Sequence, residues 1–395
     1  MLAPPRQPVQ PSPTRVRSRP PAPSGERWRR LRRIALTATA LALLPVAVSY
    51  VQALTGTSNA SIGIRTVEWM RDNGARGLVT KVESIYYSLT APPKGGPALR
   101  KLPGQAGALT SSAPSHQRVV HYYRPPSIQP LVPHGLPGEG VWHATFGGGG
   151  SRPPVLITSF RPLPVDYPSA VVGVAWIDHT RTSTWLYPGR LEPGVSLPAR
   201  GPLDVPTSKR SQLVATFNSG FKLNDSGGGY ATGGHTYAPL RDGAATIVRY
   251  RDGRVDVTAW TGGPVAGADV AYARQNLPLI VNHGKPNPNL NDGPQWGATL
   301  GNRALVWRSG VGIDRHGNLI YAAGPDQGLS SLASTMIHAG AVRAMELDIN
   351  TYWTSFITYR FPGAAGAANL LASMDRSPQR YLTPDDRDFF AVYVR

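Results

Sequence analysis

The sequence predicts an α+β fold: a largely antiparallel or mixed sheet domain with one or two packed helices, preceded by a single transmembrane helix and a short helical stalk. Three observations predict it. From about Arg118 onward, short β-type runs alternate with turn residues; Leu329, Leu332, Ala333, Met336 and Ile337 recur at helical spacing; and Ile34 to Leu54 holds no charged residue. The 395 residues are ample for a buried core, and the lack of cysteine excludes a disulfide scaffold, zinc-finger-type sites and thiol catalysis.

The formal net charge of +18 is unevenly spread, because residues 1–33 hold nine Arg and one Glu. Too few apolar groups offset chain entropy there, so residues 1–33 read as a disordered basic tail. Arg27, Arg29, Arg30, Arg32 and Arg33 stand immediately before the apolar stretch. At about 1.5 Å per residue, residues 34–54 reach the ~30 Å of a hydrocarbon core, so they read as a transmembrane anchor. Arg on the N-terminal flank places the tail in the cytoplasm and the rest outside the cell membrane, and Pro45 is tolerable in such a helix. A cleaved signal peptide is the competing reading, from the small-x-small pattern Ala47-Val48-Ser49. Membrane orientation accounts for the Arg cluster, so a nucleic-acid partner is not expected. Only six of the basic residues are Lys, which suggests a G+C-rich bacterial source.

Beyond the anchor, Ser61–Arg71 and Gly77–Leu89 have helical patterns separated by Asn73-Gly74, and residues 55–90 read as a helical stalk. Residues 91–117 have the Pro/Gly/Ser composition of a linker, which leaves residues 118–395 as the main domain. Within it, Ala170–Ile177 and Thr182–Tyr187 flank Asp178–Arg181 as a hairpin. Ala245–Tyr250 and Arg254–Trp260 flank Asp252-Gly253, a strong hairpin signal. Ala304–Ile313 and Asn318–Ala322 flank Asp314–Gly317 in the same way. The helix that follows stops at Gly340. Val342–Asn350 reads as a strand, then Tyr352–Phe361, an Ala-rich helix near Ala364–Ala372, and a closing strand Phe389–Val394. Gly147–Gly150 reads as a flexible turn.

The strand Ala344–Asn350 carries the most chemistry. Alternation puts Met345, Leu347 and Ile349 on one face and Glu346, Asp348 and Asn350 on the other. Two carboxylates in a row need a compensating cation and suit acid–base work on a sugar; a salt-bridged strand face is the plainer reading. Arg308 has the geometry for a bidentate phosphate clamp, or for an ion pair with Glu346 or Asp348. Asn218-Ser219-Gly220 ends a strand shortly before Lys222, where glycine lets backbone approach a ligand. Asn282 and His283 sit at the end of an apolar run, and His283 and His235, the latter after Gly233-Gly234, are candidate acid–base groups. Metal-ligand spacings, phosphate-binding loops and nucleophile elbows are missing, so neither a metal nor a cofactor is expected.

ATFNSGFKL (215–223), Gly233-Gly234, LIVNHG (279–284), WRSGVGIDRHGNLIYAAG (307–324) and AVRAMELDIN (341–350), in this order and spacing, resemble the phosphodiester glycosidase family over residues 165–395. That family includes N-acetylglucosamine-1-phosphodiester alpha-N-acetylglucosaminidase and exported bacterial proteins. Its Asn-x-Gly-Phe element falls on Asn218–Phe221, its Asn-x-Gly element on Asn282–Gly284, and its Arg and Gly-x-Asp strand on Arg308, Gly312 and Asp314. Its acidic Asp-Gly-Gly-Gly-Ser turn falls on Asp348, Ile349, Asn350, Thr351 and Tyr352, so the glycines and serine are replaced. The sequence resembles most the membrane-anchored branch reading Met-Glu-Leu-Asp-Ile-Asn. The resemblance implies hydrolysis of a sugar-1-phosphodiester in cell-envelope glycans. In that reading Asp348, Glu346, Arg308 and Asn218 are catalytic, and Asn282, Asn350, His235, Gly220 and Lys222 hold substrate. The altered turn keeps open a glycan-binding protein of the same fold without activity.

Overall fold

A computed structural model describes residues 25–109, 122–145, 152–194, 200–296, 305–360 and 362–395. Most of the basic tail, residues 110–117 of the expected linker and the Gly147–Gly150 turn lie outside the described residues. The chain divides into two compact units, residues 1–56 and 57–395.

The first unit carries one helix, α1 (Gly25–Thr55), with Pro45 inside it. It begins earlier than the apolar run, so the Arg cluster forms its opening turns. Its segment Arg27–Thr55 is long and apolar enough to cross a membrane.

In the second unit, α2 (Ile62–Met70) and α3 (Arg76–Leu89) are joined by a kinked turn in which Gly74 adopts a φ of 87°. The expected stalk is therefore helical, but it is tied to the sheet domain. Asn59 donates to Asp385, and the Ser61 N–H donates to the Tyr352 hydroxyl.

Three sheets of eight, five and five strands make up the rest, every pairing antiparallel. Together with few helices, this is an α+β architecture. The central strands of the eight-stranded sheet are buried on both faces. Ala175, Ile177, Tyr321, Ala323 and Met345 turn toward the first core cluster, where Phe217, Phe356 and Phe390 come from a five-stranded sheet. Val174, Trp176, Ile320, Ala322 and Ala344 turn the other way, toward Leu329, Leu332, Ala333 and Met336 of a later helix (Leu329–His338). That helix lies close because the strand Val306–Asp314 has glycine beneath it. A Cβ on Gly312 would lie 2.8 Å from the Met336 methyl carbon and 2.6 Å from the Arg343 carbonyl oxygen.

The hairpins at Asp252-Gly253 and Asp314–Gly317 form as the turn chemistry requires, with Gly253 and Gly317 at φ of 92° and 86°. Three expectations do not hold. Val172–Ile177 and Thr182–Tyr187 are not a hairpin, because the first joins the eight-stranded sheet and the second pairs with Phe389–Val394 in another sheet. Asp178 makes the corner by accepting from the Thr180 N–H and hydroxyl and from Arg152. The Ala-rich helix near residue 364 is instead a strand, Ala365–Asn369, paired with Phe356–Arg360. Gly363 and Gly366, at φ of 100° and 69°, interrupt any helix there.

The third concerns the acidic strand, Ala341–Ile349. Gly310 stands opposite Glu346 but Arg308 opposite Ile349, so this strand carries one extra residue, a β-bulge. Met345 and Leu347 enter the first core cluster, yet Ile349 packs against the second. The bulge breaks the expected row of Glu346, Asp348 and Asn350 on one face.

Candidate functional site

Four chain segments meet at the end of the acidic strand. The Asp348 N–H donates to the Ser219 carbonyl at 3.0 Å, which ties this strand to the end of Leu213–Asn218. Asn218 locks the junction. Its Oδ1 accepts from the Tyr321 hydroxyl at 2.8 Å and the Ser355 N–H at 3.0 Å, while its Nδ2 donates to Ser309 Oγ at 3.0 Å. Every direction of the amide is used within the protein, so Asn218 builds the site from beneath. Past it, Gly220 presents its carbonyl to Arg387 Nη2 at 2.9 Å, and the same nitrogen lies 3.1 Å from Asp348 Oδ2.

These groups border a cavity of about 100 Å³ lined by Asp348, Asn350, Phe221, Lys222, Trp353 and Arg387, with Glu68, Arg71 and Glu83 among the groups from α2 and α3. The Arg387 guanidinium lies 5.1 Å from the centre of the Trp353 ring. Lys222 is ion-paired with Glu68 and lies 3.7 Å from Asp72. Arg76 of α3 pairs with Asp225 at 2.5 Å.

Burial pushes the Asp348 carboxyl up to about 6, against the pull of Arg387 and the Ile349 N–H, and the Glu68 charge adds to the rise. Burial favours the uncharged form of an acid, and the guanidinium recovers only part of the loss. Burial also lowers the affinity of Arg387 for its proton, but Asp348, Glu192 and Asp388 outweigh it and hold this guanidinium charged. Burial raises Glu192 above its ordinary value despite Arg387 and Arg274.

Asp348, Asn350 and Lys222 therefore line the cavity, and Gly220 and Asn218 form its support. Asn350 adopts φ of 75° and accepts from the Tyr352 and Trp353 N–H groups, so it shapes the turn that presents Trp353. Asparagine tolerates this left-handed conformation better than most residues, which is why the altered turn still closes.

Glu346 and Arg308 are placed elsewhere. Both are completely buried, with Arg308 Nη1 2.6 Å from Glu346 Oε1 and Nε donating to the Gln327 carbonyl. Arg308 is thus the ion-pair partner of Glu346 in this structure, not a group lining the cavity. Burial raises the Glu346 carboxyl above its ordinary value, and Arg308 offsets only part of that rise. Asn282 and His235 are exposed residues flanking two-residue hairpin turns. One turn has His283 and Gly284 at φ of 51° and 70°, the other Gly233 and Gly234 at 60° and 83°. Neither lines the cavity. Asp314 caps its own hairpin, accepting from the His316 and Asn318 N–H groups.

Arg387 and Trp353 escape the sequence reading. Asp385-Asp386-Arg387-Asp388 looks like a solvated charge run, yet all four residues are buried. Asp385 pairs with Arg380, Asp386 with Arg190 and Asp388 with Arg274, which leaves Arg387 facing Asp348. Arg380 overcomes burial to hold Asp385 down at about 2. Among the described residues, no group of three His, Asp or Glu side chains is arranged to hold a metal ion.

No family model matches the chain, and no curated protein matches it. Among solved structures, the catalytic domain of zebrafish N-acetylglucosamine-1-phosphodiester alpha-N-acetylglucosaminidase, auto-inhibited by its pro-peptide, is similar at 14% identity and a TM-score of 0.41, covering 62% of this chain and 85% of that one. A hypothetical protein from Synechocystis is similar at 16% identity and a TM-score of 0.35, covering 57% of this chain and 59% of its own. These are distant likenesses of fold.

Proposed function

We propose that the chain is an exported, membrane-anchored hydrolase of glycosyl phosphodiesters in cell-envelope glycans. The observation that carries the reading is the meeting of Asp348, Arg387 and Lys222 around one cavity from three distant parts of the sequence. A carboxyl titrating near 6 suits a general base at neutral pH, and two cations beside it suit a phosphodiester. Trp353 lines the same cavity and holds the Arg387 guanidinium 5.1 Å from its ring centre. In the reaction, Asp348 takes a proton from water as its oxygen bonds to the anomeric carbon. The bond from that carbon to the phosphate oxygen breaks, and the phosphate monoester leaves with the electron pair, its charge met by Arg387 and Lys222.

The α2–α3 segment lines one side of this cavity through Glu68, Arg71 and Glu83. Its ion pairs hold the place of an anionic substrate: Glu68 sits on Lys222 as the phosphate would. Anchoring through residues 34–54, with the N-terminus cytoplasmic and the second unit outside, is supported by the apolar span of α1 and the Arg cluster at its start.

The test is incubation of the full chain with glycosyl phosphodiester model compounds and with a UDP-sugar. Sugar release that disappears in Asp348→Ala is expected. No release, or release unchanged in the variant, overturns the hydrolase; glycan binding without release then leaves a binding protein of this fold.

A further inference from the structure

A second cavity borders the first. It is a groove of about 610 Å³ lined by Asp225, Arg241, Asp242, Asn276, Leu277 and Gln295, and Asp225 lines both cavities. Its chemistry differs from that of the Asp348 cavity. Two carboxylates, two amides and one guanidinium, beside the apolar surface of Leu277, make a set of mixed donors and acceptors with no excess of positive charge. Such a set matches neighbouring hydroxyl groups, and it does not favour a phosphate.

Asn276 shows that the groove is built rather than incidental. It is completely buried, and its Nδ2 donates to the Glu346 carbonyl at 2.8 Å, which fixes the amide. The remaining Oδ1 is buried without a hydrogen-bond partner among the described residues. A buried acceptor left unpaired is costly, and a ligand hydroxyl that reached it from the groove would remove that cost. The same side chain packs on Gly220, where an added Cβ would lie 3.0 Å from it. Gly220 in turn holds Arg387, so the groove and the Asp348 cavity share a wall.

We infer that the groove is a second carbohydrate subsite for a neutral, hydroxyl-rich unit adjoining the phosphodiester, so that the chain takes a polymer at an internal linkage. This rests on the reading of the Asp348 cavity as a phosphodiester site. Arg241 and Gln295 are exposed at the rim. Arg241 Nη2 donates to the Ser226 carbonyl, and Gln295 Nε2 donates to the Asn289 carbonyl; each retains further hydrogen-bonding capacity for a sugar.

The test compares two probes on the full chain, a monosaccharide 1-(methyl phosphate) and a three-repeat oligomer of the same sugar phosphate. Binding is measured by calorimetry and turnover by sugar release. The wild-type chain is expected to favour the oligomer. Arg241→Gln and Gln295→Ala, both at exposed positions, are each expected to lower the oligomer-over-monomer preference, Arg241→Gln by about tenfold, the worth of one charge-assisted hydrogen bond. Equal affinity for the two probes in the wild type, or a preference unchanged in both variants, overturns the subsite. Oligomer binding that weakens in the variants while neither probe is hydrolysed upholds the subsite and overturns the hydrolase.

Discussion

Replacing Asp348 with asparagine removes one ionisable group from a buried position while keeping its size. In the folded chain this carboxyl titrates near 6, against an ordinary aspartate value of 3.8. The fold therefore holds the proton more tightly than the unfolded chain does. The stability this contributes is complete below pH 3.8 and is lost as pH rises through 6. The gap is worth about 3 kcal/mol. Asparagine cannot ionise, so the stability of Asp348→Asn relative to the wild type should climb by about that amount from pH 3.5 to pH 8. The attraction of Arg387 for the ionised carboxylate titrates with the same group and is already contained in the value near 6, so it needs no separate allowance. Other titrating groups are common to both chains and cancel to first order. Urea unfolding of both full-length chains, followed by tryptophan fluorescence at several pH values, gives the difference directly. A flat difference, or one that falls with pH, refutes the placement of Asp348 in a desolvated site.

Three further outcomes follow from named contacts. Arg387→Gln removes the cation 3.1 Å from Asp348, so the acid limb of kcat/KM should move upward by about 1–3 pH units; an unmoved limb means that this guanidinium does not govern the carboxylate. Glu68→Gln frees Lys222 from its partner, and KM for a phosphodiester should fall up to about fivefold, the worth of a partly exposed ion pair; a rise in KM contradicts the competition. Arg308→Met strands the Glu346 charge and should cost about 3–5 kcal/mol in denaturant unfolding, whereas Arg308→Met with Glu346→Leu should recover most of it. A double variant no more stable than the single one would mean that the pair acts through something besides charge.

The elements legible in the sequence are those whose local signals decide them alone. Asp252-Gly253 and Asp314–Gly317 force turns, and Leu329–Ile337 has one apolar face, so both hairpins and the helix form where the pattern places them. What stayed hidden depends on partners distant in sequence. Nothing in Asp178–Arg181 says that the strand after it pairs with the C-terminus of the chain. The bulge that parts Asp348 from Glu346 arises in register with Arg308 and Gly310, so strict alternation misplaces both carboxylates. Asp348, Lys222 and Asn350 were readable as polar residues at strand ends. Arg387 was not, because a run of three Asp and one Arg resembles solvated surface until each Asp is seen to have its own buried Arg. Likewise Asn282 and His235 attract notice beside glycines that serve only to turn the chain.

Hydrolysis of a glycosyl phosphodiester in ¹⁸O-labelled water by the full chain and by Asp348→Asn tests the central claim most directly. The account predicts label on the anomeric oxygen of the released sugar, with the rate at least about a hundredfold lower in the variant. Label on the phosphate, or equal rates in the two chains, would contradict it.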